Sequence, residues 1–288
     1  MLFEVLLFSV TIIALVIASY SDLKSREVPD WLNYGLIFAA LGIRGIFSVE
    51  GGWTILLSGL LGLGVCFGLA SLFYYSNQWG GGDSKLLMGV GAVIGISYPF
   101  SLESLNLLWF FLALLLLGAL YGLGWVLGLA LIHRRTFGEG FRNLLYSYKN
   151  VHLLLGAFSL VVFLLFVFWL KGYSFLWPLV PFPLAAFYLF LFVTAVENHC
   201  FLRKVPIGTL TEGDWLEEDV VIDAKVALKK RTLEKSDLEH LRKLHKEGKL
   251  EKVLIREGIP FVPSFLLAYV LVTFGLGVVW AVLNAVLG

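Results

Sequence analysis

The chain alternates between long, continuously apolar runs and short polar segments. A helix of about 20 apolar residues crosses the hydrocarbon core of a bilayer and satisfies its own backbone hydrogen bonds there. Strands of a membrane barrel would instead alternate apolar and polar positions. The pattern therefore predicts an all-α polytopic membrane protein of about eight transmembrane helices. The candidate helices lie near 2–20, 32–48, 53–75, 84–99, 104–132, 152–170, 176–196 and 262–286.

Residues 197–261 form the one sizeable polar block and are predicted to be a small α+β cytoplasmic insertion. Residues 220–228 alternate like a strand, and Ser236 is placed to cap a helix that ends before Gly248. A docking or regulatory module and a solvated linker both fit this block. The resulting domain prediction has four parts: 1–132 as a transmembrane catalytic core, 133–196 as a cytoplasmic loop with two further spans, 197–261 as the insertion, and 262–288 as a final transmembrane helix.

Glycines recur at four-residue spacing within several of the apolar runs. Such pairs let helix backbones approach closely in lipid, although glycine is also simply common in membrane helices. The predicted contact pairs are Gly64 with Gly68, Gly91 with Gly95, and Gly118 with Gly122.

Charge is sparse and strongly segregated along the chain. Only 15% of residues are charged, whereas a soluble protein has about 25%. The net charge of +1 gives no reason to expect a nucleic-acid partner. Basic residues concentrate in alternate loops, which the positive-inside rule assigns to the cytoplasm. This predicts a multi-pass protein of the cytoplasmic membrane with both termini outside and with membrane lipid around it. The predicted cytoplasmic loops are 21–31, 76–83, 133–151 and 197–261.

Cysteine and histidine positions give no metal-binding pattern. Cys66 and Cys200 are far apart and lack a C-x-x-C spacing, and His240 and His245 would not share a helical face. We therefore expect no metal and no other cofactor.

Two carboxylates stand out as candidate catalytic groups. Asp22 directly follows the first apolar run, and Asp83 opens the fourth, so both lie at predicted cytoplasmic helix ends. Ionisable groups at the edge of hydrocarbon are costly and are therefore functional candidates. Two acids a few ångströms apart cannot both ionise easily, which supplies the base and the acid that peptide hydrolysis needs.

Each acid also has a simpler explanation. Asp83 suits the N-terminus of a helix as a cap, and Asp22 suits an ordinary interfacial loop. The joint pattern of two motifs outweighs these separate explanations. Gly80, Gly81 and Gly82 lack Cβ atoms and would let a substrate strand approach Asp83 closely.

The two segments together resemble a known family. The stretch SDLKSREVPDWLN from Ser21 to Asn33 resembles the first catalytic loop of type IV prepilin and preflagellin peptidases, and GGGDSKLL from Gly80 looks like their G-x-G-D motif. The resemblance makes Asp22 and Asp83 the catalytic acids of an intramembrane aspartic protease. A fainter similarity extends to GIPFVPSFLLAY at 258–269.

The resemblance implies cleavage, at the cytoplasmic membrane face, of a short basic leader from a pilin-like or flagellin-like precursor protein. By the same resemblance Gly80 and Gly82 are motif glycines and Lys85 is the family lysine. Glu27 and Asp30 are expected to attract the basic leader. Many bacterial relatives carry a four-cysteine domain after the first span and N-methylate the product. The first loop here is short and holds no cysteine, which points to an archaeal-type enzyme without that activity.

Two alternatives from other classes, and one from another group of G-x-G-D proteases, remain at the sequence level. A transporter or channel could use the two acids as a cation or proton site at a broken helix, although no repeat relates the two halves. A non-catalytic membrane scaffold could dock partners through residues 197–261. Presenilin and signal peptide peptidases share G-x-G-D, but the chain has no Pro-Ala-Leu motif.

Overall fold

The fold was analysed in a computed structural model that describes residues 2–76, 78–168, 174–222 and 225–275. It divides into two compact units, one formed by residues up to Leu123 together with residues from Ile259 onward, and one formed by Gly124–Gly258. The C-terminal ends of the predicted spans 152–170 and 262–286 lie outside the described residues.

The first unit is helical throughout its regular elements. Helices α2, α3 and α4 pack against one another, and α1 packs against α2 and α10. The shared core consists of large apolar side chains that are almost fully buried, among them Leu15, Leu36, Leu87, Phe110 and Phe265. The helices of this unit are α1 (Leu2–Ser25), α2 (Asp30–Gly51), α3 (Thr54–Tyr75), α4 (Gly81–Ile94), the first part of α5 (Asn106–Ile132), and α10 (Val262–Val270), which continues as a π-helical turn over Leu271–Gly275.

The second unit combines helices with a small sheet. Strand β5 lies between β1 and β2 in an antiparallel sheet, and β3 pairs with β4 as a separate antiparallel hairpin. Helix α9 and the sheet share an apolar core that includes Ile207, Leu216 and Leu241. Besides the end of α5, the elements are α6 (Arg134–Ser147), α7 (Lys149–Phe168), α8 (Phe182–Cys200), β1 (Leu202–Pro206), β2 (Trp215–Leu216), β3 (Val220–Ile222), β4 (Lys225–Leu228), α9 (Lys235–Lys246) and β5 (Lys252–Arg256).

Six of the described helices are long and apolar enough to cross a membrane: α1, α2, α3, α5, α7 and α8. Helix α4 has 14 residues, which is shorter than the 20 or so that a straight span needs. The mostly helical fold, with its six candidate spans and small sheet region, is consistent with the predicted polytopic membrane protein, while the count of eight spans stays a prediction.

Two local expectations were wrong, and one predicted connection contains an unpredicted helix. Residues 133–151, predicted as a cytoplasmic loop between spans, contain α6, whose apolar stripe packs on α8 through Phe137 and Phe192, with ring centroids 5.3 Å apart. The predicted strand over 220–228 is the β3–β4 hairpin instead. The cap of α9 is Glu234 rather than Ser236, because Glu234 and Asp237 form a reciprocal capping box.

Candidate active site

Asp22 lies inside helix α1 rather than in the loop that follows it. The helix continues past the predicted end at residue 20 and stops at Ser25, so the Asp22 side chain sits in its last two turns and is only 6% exposed. Its Oδ2 atom accepts a hydrogen bond of 2.9 Å from the backbone N–H of Val262, at the start of α10. The last described helix thus helps to position the first candidate acid, 240 residues away in sequence.

Asp83 occupies the first turn of α4. Gly80 precedes the helix in an extended conformation, and its backbone interacts with the Asp83 carboxylate. The N-terminus of a helix presents unpaired N–H groups and a positive dipole end, so a carboxylate is favoured there. The side chain is partly exposed, which leaves it accessible from outside the core.

The two acids are brought together in one unit. The negative charge of Asp22 acts directly on the Asp83 carboxylate, although 60 residues separate them in the chain. Two carboxylates within electrostatic range of each other in a poorly solvated place disfavour double ionisation. The arrangement therefore favours a state in which one of the two acids is protonated.

The motif glycines have different surroundings. A Cβ atom on Gly82 would lie 3.3 Å from the Cβ of Val28, so glycine allows the start of α4 to pack closely on the loop after α1. Asn33 on α2 donates a hydrogen bond of 3.4 Å to the Gly82 carbonyl across the same contact. A Cβ on Gly80 would meet the Oδ2 atom of Asp83 at 3.9 Å, an ordinary van der Waals distance.

Lys85 and Asp30, which were predicted separately, form an ion pair. The Lys85 Nζ atom lies 2.5 Å from Asp30 Oδ1 and 5.5 Å from the centre of the Tyr34 ring. The pairing neutralises much of the charge that Asp30 was expected to present to a basic leader. Glu27 is also exposed, and its backbone carbonyl accepts a hydrogen bond of 2.8 Å from the Ser21 hydroxyl.

Sequence reasoning missed two polar neighbours of Asp22. Arg26 adopts a left-handed backbone conformation, with φ of 59°, just after α1 ends, and its charge acts on the Asp22 carboxylate. Tyr121 on α5 interacts electrostatically with both groups. Arg26 lies within the Ser21–Asn33 segment that carries the family resemblance, so the sequence could have singled it out. Nothing in the sequence links Tyr121 to Asp22.

Sequence reasoning also missed an aromatic cluster beside the glycines. Trp79 stacks on Phe73 with ring centroids 4.7 Å apart and contacts Phe261 at 5.5 Å and Phe265 at 5.8 Å. Phe261 belongs to the segment with the faint family similarity. The cluster therefore connects Trp79, which precedes the glycines before Asp83, with the start of α10, whose Val262 binds Asp22.

Among the described residues, no group of three or more His, Cys, Asp and Glu side chains is arranged to hold a metal ion. The candidate site consequently consists of the two carboxylates and the backbone and side-chain groups that surround them.

Comparison with known proteins finds matches to the segment that contains both acids. The model of the type IV leader peptidase family matches residues 9–123, which include both acids. Three preflagellin peptidases are similar: that of Methanocaldococcus jannaschii is 39% identical over 88 residues, that of Methanococcus voltae 33% over 98, and that of Methanococcus maripaludis 32% over 87.

These alignments cover 30%, 34% and 28% of the present chain and 37%, 41% and 36% of the respective relatives. The chain thus matches about two fifths of the length of those curated relatives. No solved structure matches the chain. Over the matched residues 9–123, which contain both acids, the chain is similar to the type IV leader peptidase family.

Proposed function

We propose that the protein is an intramembrane aspartic endopeptidase that removes a short basic leader from a preflagellin-like or pilin-like precursor. One observation carries the proposal: the carboxylates of Asp22 and Asp83, from distant segments, lie within electrostatic range of each other. The relatives' name, preflagellin peptidase, supports the substrate class. The charge segregation of the loops supports a site at the cytoplasmic face of the membrane.

The paired acids account for hydrolysis without a covalent intermediate. The ionised acid removes a proton from water while the water oxygen bonds to the scissile carbonyl carbon, and the protonated acid gives its proton to the carbonyl oxygen. A neutral tetrahedral diol results. When the C–N bond breaks, the first acid passes its proton to the leaving nitrogen, and the second takes a proton back from a diol hydroxyl. The pair has then returned to its starting protonation state.

The primary test replaces each acid by its isosteric amide. Asp22→Asn and Asp83→Asn should each reduce cleavage of a purified preflagellin by roughly 10³-fold or more, because neither amide can exchange the required proton. Glu50→Gln is the matched control, because Glu50 is an exposed acid at the C-terminal end of α2. This substitution should leave cleavage unchanged. Substantial residual cleavage by both Asn variants would refute the proposal.

The mass of the precursor before and after incubation makes the test specific. Cleavage directly before the hydrophobic helix of the precursor, with no added methyl group, is the expected product. Absence of turnover together with ion-dependent stabilisation of the purified protein would instead favour the transporter alternative, because a cation site stabilises the state that binds the cation.

A further inference from the structure

We propose that Asp22 is the acid that stays ionised and acts as the general base, held in that state by the backbone at the start of α10 and by Arg26, and that Asp83 carries the shared proton. The inference rests on the proposed function and assigns the two roles that the paired geometry alone leaves symmetric.

The backbone amide of Val262 is the first group that breaks the symmetry. Its N–H donates to Asp22 Oδ2 over 2.9 Å in a buried position, and the backbone of Phe261 also interacts with this carboxylate. A backbone N–H can only donate, so it stabilises the ionised carboxylate more than the protonated one. Hydrogen bonds from the main chain are also rigid, because the amides belong to an ordered helix start.

Arg26 is the second such group. Its backbone N–H donates to the Asp22 carbonyl oxygen over 2.9 Å, which ties the residue to the last turn of α1. A guanidinium remains charged at all accessible pH values, so its attraction for the neighbouring carboxylate always favours the ionised form. Tyr121, on α5, interacts electrostatically with both Asp22 and Arg26.

The balance of influences on Asp83 favours the opposite state. The Gly80 backbone and the N-terminus of α4 favour its ionised form, but desolvation and the charge of Asp22 oppose a second ionisation. The nearby cation, Lys85, is committed to Asp30 at 2.5 Å. The charge of Arg26 therefore acts on Asp22, whereas the main charge acting on Asp83 is the negative charge of Asp22.

The assignment gives direction to the proton transfers. Asp22 accepts the proton of the attacking water, and the Asp83 proton moves to the substrate carbonyl oxygen. The partly exposed position of Asp83 suits contact with a substrate carbonyl, while the more buried Asp22 suits contact with the smaller attacking water. Val262 and Arg26 are accordingly positioning residues, because they act on the reaction through Asp22.

The sharpest test removes one N–H group and keeps every side chain. In cell-free synthesis, α-hydroxyisovaleric acid delivered at position 262 converts the Phe261–Val262 amide into an ester of nearly the same shape. A proline at 262 would also remove the N–H, but Phe261 has φ of −94° and ψ of −24°, a conformation that is disfavoured before proline. The matched controls are valine delivered by the same suppressor tRNA and Val262→Ala, which both keep the N–H.

The readout is the pH profile of kcat/KM, measured for each enzyme variant in lipid nanodiscs with a purified preflagellin as the substrate. The two limbs of this profile report the lower and the upper titration of the coupled pair. If Asp22 is the ionised acid, the ester should move the acidic limb upward by about one pH unit, as expected for losing one charge-assisted hydrogen bond. Movement of the basic limb alone would overturn the assignment, because Asp22 would then hold the proton.

A second, independent perturbation guards against misfolding of the ester variant. Arg26→Asn removes the charge while asparagine tolerates the left-handed conformation, and Arg26→Lys keeps a charge. The Asn variant should move the acidic limb in the same direction as the ester, and the Lys variant should restore it largely. Unmoved limbs in both the ester and the Asn variant would refute the inference while cleavage by the wild type upholds the proposed function. Absence of cleavage by the wild type would refute the proposed function itself.

Discussion

Helices α4 and α7 are both apolar, yet they are buried to very different degrees. Eight of the 14 residues of α4 are buried, including Leu86 and Leu87. Along the 20 residues of α7, Phe166 is the one buried residue. A Cβ atom on Gly62 of α3 would clash with the Gly91 carbonyl oxygen of α4, whereas no atom of the described residues would lie within 4 Å of a Cβ atom on Gly156 in α7. Helix α4 is therefore positioned by protein contacts, and α7 mainly presents its side chains outward.

The difference explains why a 14-residue helix can carry a candidate catalytic acid. Arg44 of α2, which is 5% exposed, donates hydrogen bonds to the carbonyls of Ala92, Val93 and Ile94 in the last turn of α4. These carbonyls have no partner within the helix, so an external donor is needed. With its C-terminus held by Arg44 and its glycines against α3, α4 presents Asp83 at its other end in a defined place.

The largest expected effect comes from removing this guanidinium. Arg44→Met leaves several buried carbonyls without donors and should lower the free energy of unfolding by on the order of 5 kcal/mol, at about 1–3 kcal/mol for each group. Arg44→Lys should recover only part of the loss, because an ammonium lacks the planar fork. Denaturation in mixed detergent micelles measures both. Arg142→Met on α6, where Arg142 is exposed, is the control and should change stability little. Equal stability of the two Met variants would contradict the proposed importance of the buried clamp.

The same substitution, leucine to alanine, should have a smaller effect than Arg44→Met and should lower stability more in α4 than in α7. Leu87→Ala in α4 creates a cavity at a fully buried side chain and should cost about 3 kcal/mol of unfolding free energy. Leu160→Ala in α7, at a side chain that is 58% exposed, should change it by less than about 0.5 kcal/mol. The same denaturation assay compares them. Similar losses at both sites would mean that α7 is packed as tightly as α4, against its observed exposure.

The smallest effect on stability is expected at the exposed start of α4. The Lys85–Asp30 pair has side chains that are 31% and 63% exposed, so Asp30→Asn should lower stability by less than about 1 kcal/mol. Its effect should appear in substrate binding instead. In the Glu27→Gln, Asp30→Asn double variant, KM for a precursor with a basic leader should rise most at low salt, because salt screens exposed charges. A KM that equals the wild-type value at every salt concentration would exclude these acids from leader recognition.

Much of the fold followed from the sequence alone because it rests on local patterns. Continuously apolar runs required membrane helices, and the SDLKSREVPDWLN and GGGDSKLL segments marked Asp22 and Asp83. The roles of these acids remain proposals. The short α6 escaped notice, because its stripe of Phe137, Phe141 and Leu144 is interrupted by glycines and by polar residues and gives no long apolar run.

Contacts between distant segments were decided only by the tertiary structure. The sequence marked Gly64 and Gly68 as a contact pair, yet no described residue lies within 4 Å of a Cβ atom built on either, and the close approach is made by Gly62 and Gly91. Glycine spacing predicts that a helix can be approached and does not say which turn faces a neighbour. The support of Asp22 by Val262 is equally invisible, because every residue except proline offers a backbone N–H. Only the packing of α10 beside α1 selects which of these identical donors meets the carboxylate.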